Sequence, residues 1–147
     1  MAAAEATGWQ KHEPGFLGLL AEALAMTGAI EEGLTVLLEA LDAAEASGAR
    51  GADAELHRLR GNLLQRLPSP DWTEVERCLR TALSIARAQG TRGFELRAAI
   101  SLARLLSDRG RRDEARDVLA PVYGCFTEGF GASDLREAKA LLEALDA

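Results

Sequence analysis

A string of residues that occurs twice constrains the fold more than any other feature of this sequence. The string L-x-x-A-x-A-x-G-x-R occupies residues 41–50 and again residues 83–92. Just upstream, Leu37 and Ala40 match Leu79 and Ala82 at the same offset. So many matches at one offset indicate an internal repeat. Repeats of this length are typical of stacked helical hairpins.

Glycine and proline mark where the helical segments end. Gly48 and Gly90 occupy the same place in the repeated string, and each is expected to close a helix in the left-handed conformation. Pro68 and Pro70 cannot continue a helix, so a new one must start after them. Elsewhere apolar residues recur every three to four positions, which is the helical period. The sequence predicts helices over residues 15–27, 30–47, 53–66, 72–89, 93–108, 112–126 and 134–145.

Polar residues and a proline refine three of these boundaries. Asp71 and Glu74 are spaced as a capping box that opens the fourth helix. Ser133 with Asp134 is expected to cap the last helix. Pro121 lies inside the sixth helix, so we expect it to kink that helix or loosen its last turn.

The predicted fold class is all-α, a stack of three antiparallel helical hairpins closed by a C-terminal capping helix. A single hairpin cannot bury both of its apolar faces, so neighbouring hairpins must supply the core. Residues 1–14 form a predicted flexible N-terminal segment, and residues 15–147 form one helical repeat domain. The repeats cover about residues 15–48, 53–90 and 93–128, and the capping helix covers about 133–146.

The charge balance argues against several classes of partner. The chain has 17 basic and 23 acidic residues and a net charge of −6, whereas nucleic acids and anionic membranes attract basic proteins. No apolar run approaches the roughly 18 residues of a membrane span, and residues 1–7 lack the features of a signal peptide. Cys78 and Cys125 show no metal or redox spacing. We therefore expect a cytoplasmic protein with reduced cysteines and without nucleic-acid or membrane partners.

Small and bulky residues follow one another in the order that tetratricopeptide repeats show. Ala21, Gly61 and Ala103 take the same small position in the first helix of each hairpin, where they let the second helix approach closely. The chain therefore resembles a tetratricopeptide repeat protein, which implies a superhelix. Its second repeat is the least regular, because Pro68 and Pro70 replace the glycine of the turn. Other matching residues are Leu17, Leu20, Leu24, Gly28, Gly33, Leu37, Ala40, Leu64, Val75, Leu79, Ala82, Leu102, Leu106, Gly110, Ala115 and Leu119.

A closer resemblance covers most of the chain. The segments that carry it are residues 54–61, 83–90, 95–105, 120–130 and 134–139. They resemble the C-terminal repeat region of large bacterial predicted ATPases, many of which have an N-terminal nucleotide-cyclase domain. Cys125 departs from that family, in which this position is often aromatic. The resemblance implies a sensory or scaffolding module of a signalling protein, either a fragment or a separate gene product, without the ATPase or cyclase activity.

The residues do not point to a catalytic centre. The sequence has no G-x-x-x-x-G-K-[ST] phosphate loop, and His12 and His57 have no partner at metal-ligand spacing. Arg109, Arg111 and the two arginines after them form a basic cluster that could bind phosphate. Compensation of a helix dipole and solvation explain most of that cluster. We predict that the protein is not an enzyme and uses no cofactor or metal.

The candidate site is the concave face, which the first helices of the hairpins line. Residues three to four apart share one face of a helix, and on the third helix that face is polar. Arg58 and Asn62 resemble, by position, the Lys and Asn with which some tetratricopeptide domains grip a peptide carboxylate, although Ser101 replaces a second Asn of that clamp. We expect a locally basic groove. The predicted groove residues are Glu55, Arg58, Asn62, Gln65, Arg66, Arg97 and Arg104.

Three functions remain open at this point. The leading hypothesis is a protein-interaction module whose groove binds an acidic or C-terminal peptide segment. The alternative is a structural or regulatory segment through which a larger signalling ATPase or cyclase assembles, with a second copy or an upstream domain covering the groove. An enzyme whose site is assembled only in space is the third.

Overall fold

The computed structural model describes residues 14–129 and 131–147. Within these ranges the protein consists of α-helices and contains no β-strand, so the all-α prediction is confirmed. Each predicted helix is present, and its ends lie close to the predicted ones. The helices are α1 (Pro14–Met26), α2 (Ile30–Ser47), α3 (Asp53–Leu64), α4 (Trp72–Gln89), α5 (Arg92–Asp108), α6 (Arg112–Gly124) and α7 (Ser133–Asp146).

The predicted helix ends are confirmed at glycines and only partly at the polar caps. Gly48 and Gly90 follow α2 and α4 with φ angles of 76° and 69°, in the left-handed region. The Asp71 carboxylate accepts a hydrogen bond from the Glu74 amide at 3.2 Å. The Glu74 side chain, however, bonds to Arg60 at 2.9 Å. One half of the capping box is therefore present, and the Glu74 carboxylate joins two helices.

One expectation about the ends of the domain needs correction. Ser133 does not cap α7: Ala132 is the N-cap residue, Ser133 is the first helical residue, and no side chain accepts a capping bond. Asp134 instead faces α5. The predicted flexible segment 1–14 lies outside the described residues except for Pro14, which is buried and begins α1. Pro121 lies inside α6, which ends at Gly124, two residues before the predicted end.

The helices pack in a regular order. Each odd-numbered helix contacts the even-numbered helix on either side of it in sequence. Successive odd-numbered helices also pack directly against one another, whereas in the described chain the backbones of the even-numbered helices stay apart, and side chains of α4 and α6 meet in ion pairs. The last helix, α7, packs against α5 and α6. The odd-numbered helices therefore form one continuous layer, which we call the odd-helix layer, and the even-numbered helices cover its other side.

Two buried clusters form the core and meet at α3. One unites α1, α2 and α3 around Leu37 and Leu56, and the other unites α4 to α7 around Leu79 and Leu119. At their junction Gly61 faces α4, where an added methyl group would lie 2.8 Å from Cδ2 of Leu79. Such a distance is too short for two carbon atoms. The close approach expected at this small residue is therefore present.

The arginine cluster at residues 109–116 binds other parts of the chain. Arg112 donates hydrogen bonds to the carbonyl oxygens of Ala144 and Leu145, at 2.8 and 3.0 Å. Arg116 donates to the same Leu145 oxygen at 2.8 Å. These carbonyls end α7 and have no partner within that helix. The two guanidinium groups thus cap α7 across the interface, which goes beyond the solvation predicted for the cluster.

Arg111 belongs to a closed ring of ion pairs between α4 and α6. It donates to Glu76 at 2.7 Å and to Glu114 at 2.8 Å. Arg80 completes the ring, since it pairs with Glu76 at 2.8 Å and with Glu114 at 3.5 Å. The hydrogen bonds from Arg111, with a smaller contribution from Arg80, hold the pKa of Glu76 below its ordinary value of 4.5. This ring stabilises the ionised form of Glu76 in the folded state.

Substituting Gly61→Ala should destabilise the protein. The added methyl group must displace Leu79, and such overpacking costs about 1–3 kcal/mol, of which the better helix propensity of alanine offsets up to about 1 kcal/mol. The matched control is Gly93→Ala in α5, where the methyl group would meet no atom within 4 Å. Urea unfolding should show a loss for Gly61→Ala and no loss for Gly93→Ala. Equal stability of the two variants would disprove the close approach.

The ring around Glu76 should make stability depend on pH. A carboxyl whose pKa is lower in the folded than in the unfolded state stabilises the fold above the unfolded pKa and loses this effect as the pH falls. The variant Glu76→Gln should therefore be less stable than the wild type at pH 7, and the difference should shrink below about pH 4.5. Urea unfolding at a series of pH values measures this. Asp117→Asn, which removes a charge outside any ion pair of the described chain, is the control.

Candidate functional site

A cleft of about 560 Å³ opens on the odd-helix layer. Side chains from α1, α3, α5 and α7 line it, so it runs across four helices that are distant in sequence. Among the described residues, Ile100 is the one apolar side chain that lines it. The cleft therefore suits a polar ligand. Its lining residues are Glu22, Arg58, Asn62, Gln65, Arg66, Arg97, Ile100, Ser101, Arg104, Asp108, Asp134 and Glu137.

The structure brings the predicted groove residues together. All of them except Glu55 line the cleft. Glu55 lies behind it and accepts hydrogen bonds from Arg58 and Arg97, on α3 and α5. Helical spacing puts these side chains on the exposed faces of α3 and α5. Because the two helices contact each other, the two faces form one continuous surface.

Arg58 is held by Glu55 within α3. Its Nε and Nη2 atoms donate to the two carboxylate oxygens at 2.8 and 2.9 Å. Both side chains are only 15–17% exposed, and an ion pair with two hydrogen bonds and little solvent is hard to open. Arg58 therefore shapes the floor of the cleft and is a poor candidate for the ligand contact that its position suggested.

Arg97 and Arg104 are paired with carboxylates of α7. Arg97 donates to Asp134 at 3.0 Å and to Glu55 at 3.2 Å, and these bonds hold the pKa of Arg97 above its ordinary value. Arg104 lies 3.2 Å from Glu137. The sequence analysis missed both α7 carboxylates. The two carboxylates are spaced to lie on one face of the last helix, and this spacing could have identified them as a pair. The residues around them, however, do not indicate that this face meets α5.

The expectation of a locally basic groove is wrong. Four arginines line the cleft, and four carboxylates line it too. Two of these carboxylates, Asp134 and Glu137, come from α7; the others are Glu22 on α1 and Asp108 at the end of α5. Carboxylates of the flanking helices α1 and α7, together with Asp108 of α5 itself, therefore neutralise the basic strip of α3 and α5.

Three side chains on the cleft wall have hydrogen-bonding capacity to spare. The guanidinium group of Arg66 makes no ion pair or hydrogen bond with residues 14–129 or 131–147, and the residue is exposed. Gln65, next to it, likewise makes no side-chain bond within those ranges. Asn62 donates one long bond of 3.4 Å to the Ser101 hydroxyl. These groups offer a guanidinium and two amides to a ligand at the C-terminal end of α3.

The remaining chemistry-bearing side chains do not form a reactive centre. His57 is half-buried, and burial lowers its pKa, which favours the neutral imidazole. Cys78 is buried, with Arg60 Nη1 at 3.0 Å from its sulfur, and burial raises the pKa of its thiol. A thiol in this state is a weak nucleophile. Within the described ranges no three His, Cys, Asp or Glu side chains converge as a metal site would require.

Two further cavities lie beside α4. One of about 650 Å³ is lined by α4 alone, so no second element closes it. Another, of about 190 Å³, lies beside Trp72, whose ring has the Arg109 guanidinium 4.9 Å from its centroid. This stacking joins α4 to the end of α5 and accounts for the partly exposed aromatic ring. The cleft on the odd-helix layer remains the best-formed candidate site.

Comparisons with known proteins do not assign this chain to a family. No protein-family model matches it, and neither a curated protein nor a solved structure matches it significantly. Among the described residues, no helix has both the length and the apolar character needed to cross a bilayer. The resemblances to tetratricopeptide repeats and to the ATPase-linked repeat region stay predictions from the residues.

Proposed function

We propose that this chain is a tetratricopeptide-type interaction module whose odd-helix layer binds a polar peptide segment through a carboxylate. The packing order supports the repeat type: three helical hairpins follow one another, and a final helix covers the last of them. The sequence resemblance supports the proposal that such a module belongs to a signalling ATPase or nucleotide cyclase, and we propose a cytoplasmic location for it. Two free cysteines are consistent with a reducing compartment.

The observation that carries the proposal is the composition of the cleft. A surface that spans four helices, with one apolar lining residue, is unsuited to the apolar face of a partner helix. Guanidinium and amide donors suit a carboxylate, because they bind both of its oxygens at once. Arg66 and Arg104 are the exposed arginines on the cleft wall with the fewest commitments to other residues.

The balance of positive and negative charges in the cleft limits the kinds of peptide that can bind there. A peptide with many acidic residues would meet Glu22, Asp108, Asp134 and Glu137 as well as the arginines, and like charges repel. A segment with a single carboxylate can use the arginines and avoid most of that repulsion. Of the two predicted ligands, an acidic stretch and a C-terminal segment, the cleft suits the C-terminal segment better.

Substituting Arg66→Ala and Arg104→Ala together should weaken peptide binding by about tenfold or more, since each charge-assisted hydrogen bond contributes about 1.5–3 kcal/mol. The probe is a pool of random decapeptides with a free carboxyl terminus, retained on the immobilised protein; the same pool with amidated termini tests the carboxylate. Arg58 is left intact, because its loss would remove a hydrogen-bonded partner from the Glu55 carboxylate, which is only 15% exposed.

The matched control is Arg92→Ala, which removes an exposed arginine that lines no part of the cleft and forms no ion pair in the described chain. Retention of the free-carboxyl pool should survive in this control and fail in the double variant. Equal retention of both peptide pools by the wild type would rule out carboxylate recognition.

Assembly through the first hairpin is the second candidate function. Met26 on α1 is 86% exposed, and Leu19 on the same helix and Leu38 on α2 are at least half exposed. Leu19 and Met26 are seven positions apart and so share one face of α1, and exposed apolar side chains on one face favour association with another surface. This proposal fits the alternative of an oligomerisation segment, whether the neighbour is a second copy or another domain of a larger protein.

Light scattering at increasing concentration tests this candidate. If copies associate through the first hairpin, the apparent mass should rise with concentration and fall to that of a monomer in the variant Leu19→Gln with Met26→Gln. The Arg66→Ala, Arg104→Ala protein is the control, since it leaves the first hairpin unchanged. A constant monomer mass for the wild type at every concentration contradicts self-assembly.

A further inference from the structure

Asp134 and Glu137 of α7 form ion pairs with two of the arginines that line the cleft. Asp134 Oδ2 lies 3.0 Å from Arg97 Nε, and Glu137 Oε2 lies 3.2 Å from Arg104 Nη2. Both carboxylates are part of the cleft wall. A bound peptide carboxylate would need the same guanidinium groups, so the ligand and α7 would compete for them.

These two ion pairs are exchangeable, unlike the pair deeper in the cleft. Their four side chains are 39–51% exposed, and exposed ion pairs of this kind contribute little stability because water solvates and screens the charges. Arg104 has this single ion pair in the described chain. An incoming carboxylate can therefore replace Glu137 at Arg104 with little loss elsewhere.

The helix α7 stays in place without these pairs. Its side chains Leu135, Ala138 and Leu145 are buried in the core. At its far end Arg112 and Arg116 bind the last carbonyl groups. Release of Asp134 and Glu137 from their arginines is thus a local change of side chains and does not require α7 to leave the stack.

We infer that Asp134 and Glu137 are specificity-determining residues that compete with the ligand carboxylate for Arg97 and Arg104. This inference rests on the proposed function of the cleft. In the free protein the two arginines are neutralised, so weak or nonspecific anions do not bind. Exchange of an α7 carboxylate for the ligand carboxylate gains little free energy by itself. A peptide therefore binds only when its contacts with the rest of the cleft, including Arg66 and Asn62, supply additional binding energy.

The variant Asp134→Asn with Glu137→Gln tests the competition. It keeps the shape of both side chains, removes the one ion pair that Arg104 has in the described chain and leaves Arg97 paired with Glu55 alone, so it should retain the free-carboxyl decapeptide pool about three- to tenfold better than the wild type. The matched control is Glu22→Gln with Asp108→Asn. It removes two charges from the same cleft, but neither residue forms an ion pair in the described chain.

A second readout does not depend on any peptide. Phenylglyoxal modifies accessible guanidinium groups, and mass spectrometry of the digested protein gives a rate for each arginine. Arg104 should react several-fold faster in the α7 variant than in the wild type or the control, and Arg97, which Glu55 still holds, should react faster by a smaller factor. Arg58, which Glu55 still holds, should react at the same rate in all three and serves as the internal reference.

The two readouts separate the possible failures. Unchanged modification rates of Arg97 and Arg104 would overturn the inference, because the α7 carboxylates would then not occupy those arginines in solution. Faster modification together with equal peptide retention by the α7 variant and the wild type would overturn the competition. Equal gains in retention by the α7 variant and the control would also overturn it. If no variant retains the free-carboxyl pool, the proposed function fails while the modification rates still report on α7.

Discussion

The close approach of helices at small residues is the constraint on which the rest of this structure depends. Gly61 lies so near Leu79 that only a hydrogen atom fits between α3 and α4. Gly33 of α2 allows a similarly close approach to α1 and α3, because an added methyl group there would lie 2.9 Å from Leu63 and 3.1 Å from the Ala21 carbonyl oxygen. Because the hairpins are this tight, successive odd-numbered helices can touch and form a continuous layer. The cleft exists on that layer.

Ion pairs then connect helices that the apolar core leaves separate at the surface. Arg111 joins α4 to α6, and Arg97 joins α3, α5 and α7 through Glu55 and Asp134. Exposed pairs add little stability one by one. Their effect here is to decide which arginines are free. Arg66 is uncommitted within the described chain, Arg104 is weakly held and Arg58 is firmly held. The binding capacity of the cleft follows from these differences.

The helices could be predicted well because their determinants are local. Gly90 ends α4 and Asp71 begins it, and both effects involve backbone groups within one turn. Prediction was poorer where a side chain had a choice of partners. Glu74 was expected to complete a capping box but binds Arg60, and Ser133 was expected to cap α7 but lies inside it. For Glu74 the reason is the oppositely charged Arg60 nearby in space, because a hydrogen bond between two charged groups is stronger than the local bond of a cap.

The sequence by itself determined the all-α class, the helix boundaries and the residues that share the face of α3, because helical period and breaker residues act over a few positions. Only the tertiary structure decided the charge of the cleft. Asp134 is far from Arg97 in sequence and Glu22 far from Arg66, and no local pattern indicates that their helices will lie side by side. Electrostatic interaction depends on distance in space, so the pairing of the arginines, and with it the neutral character of the cleft, emerges only when the helices stack.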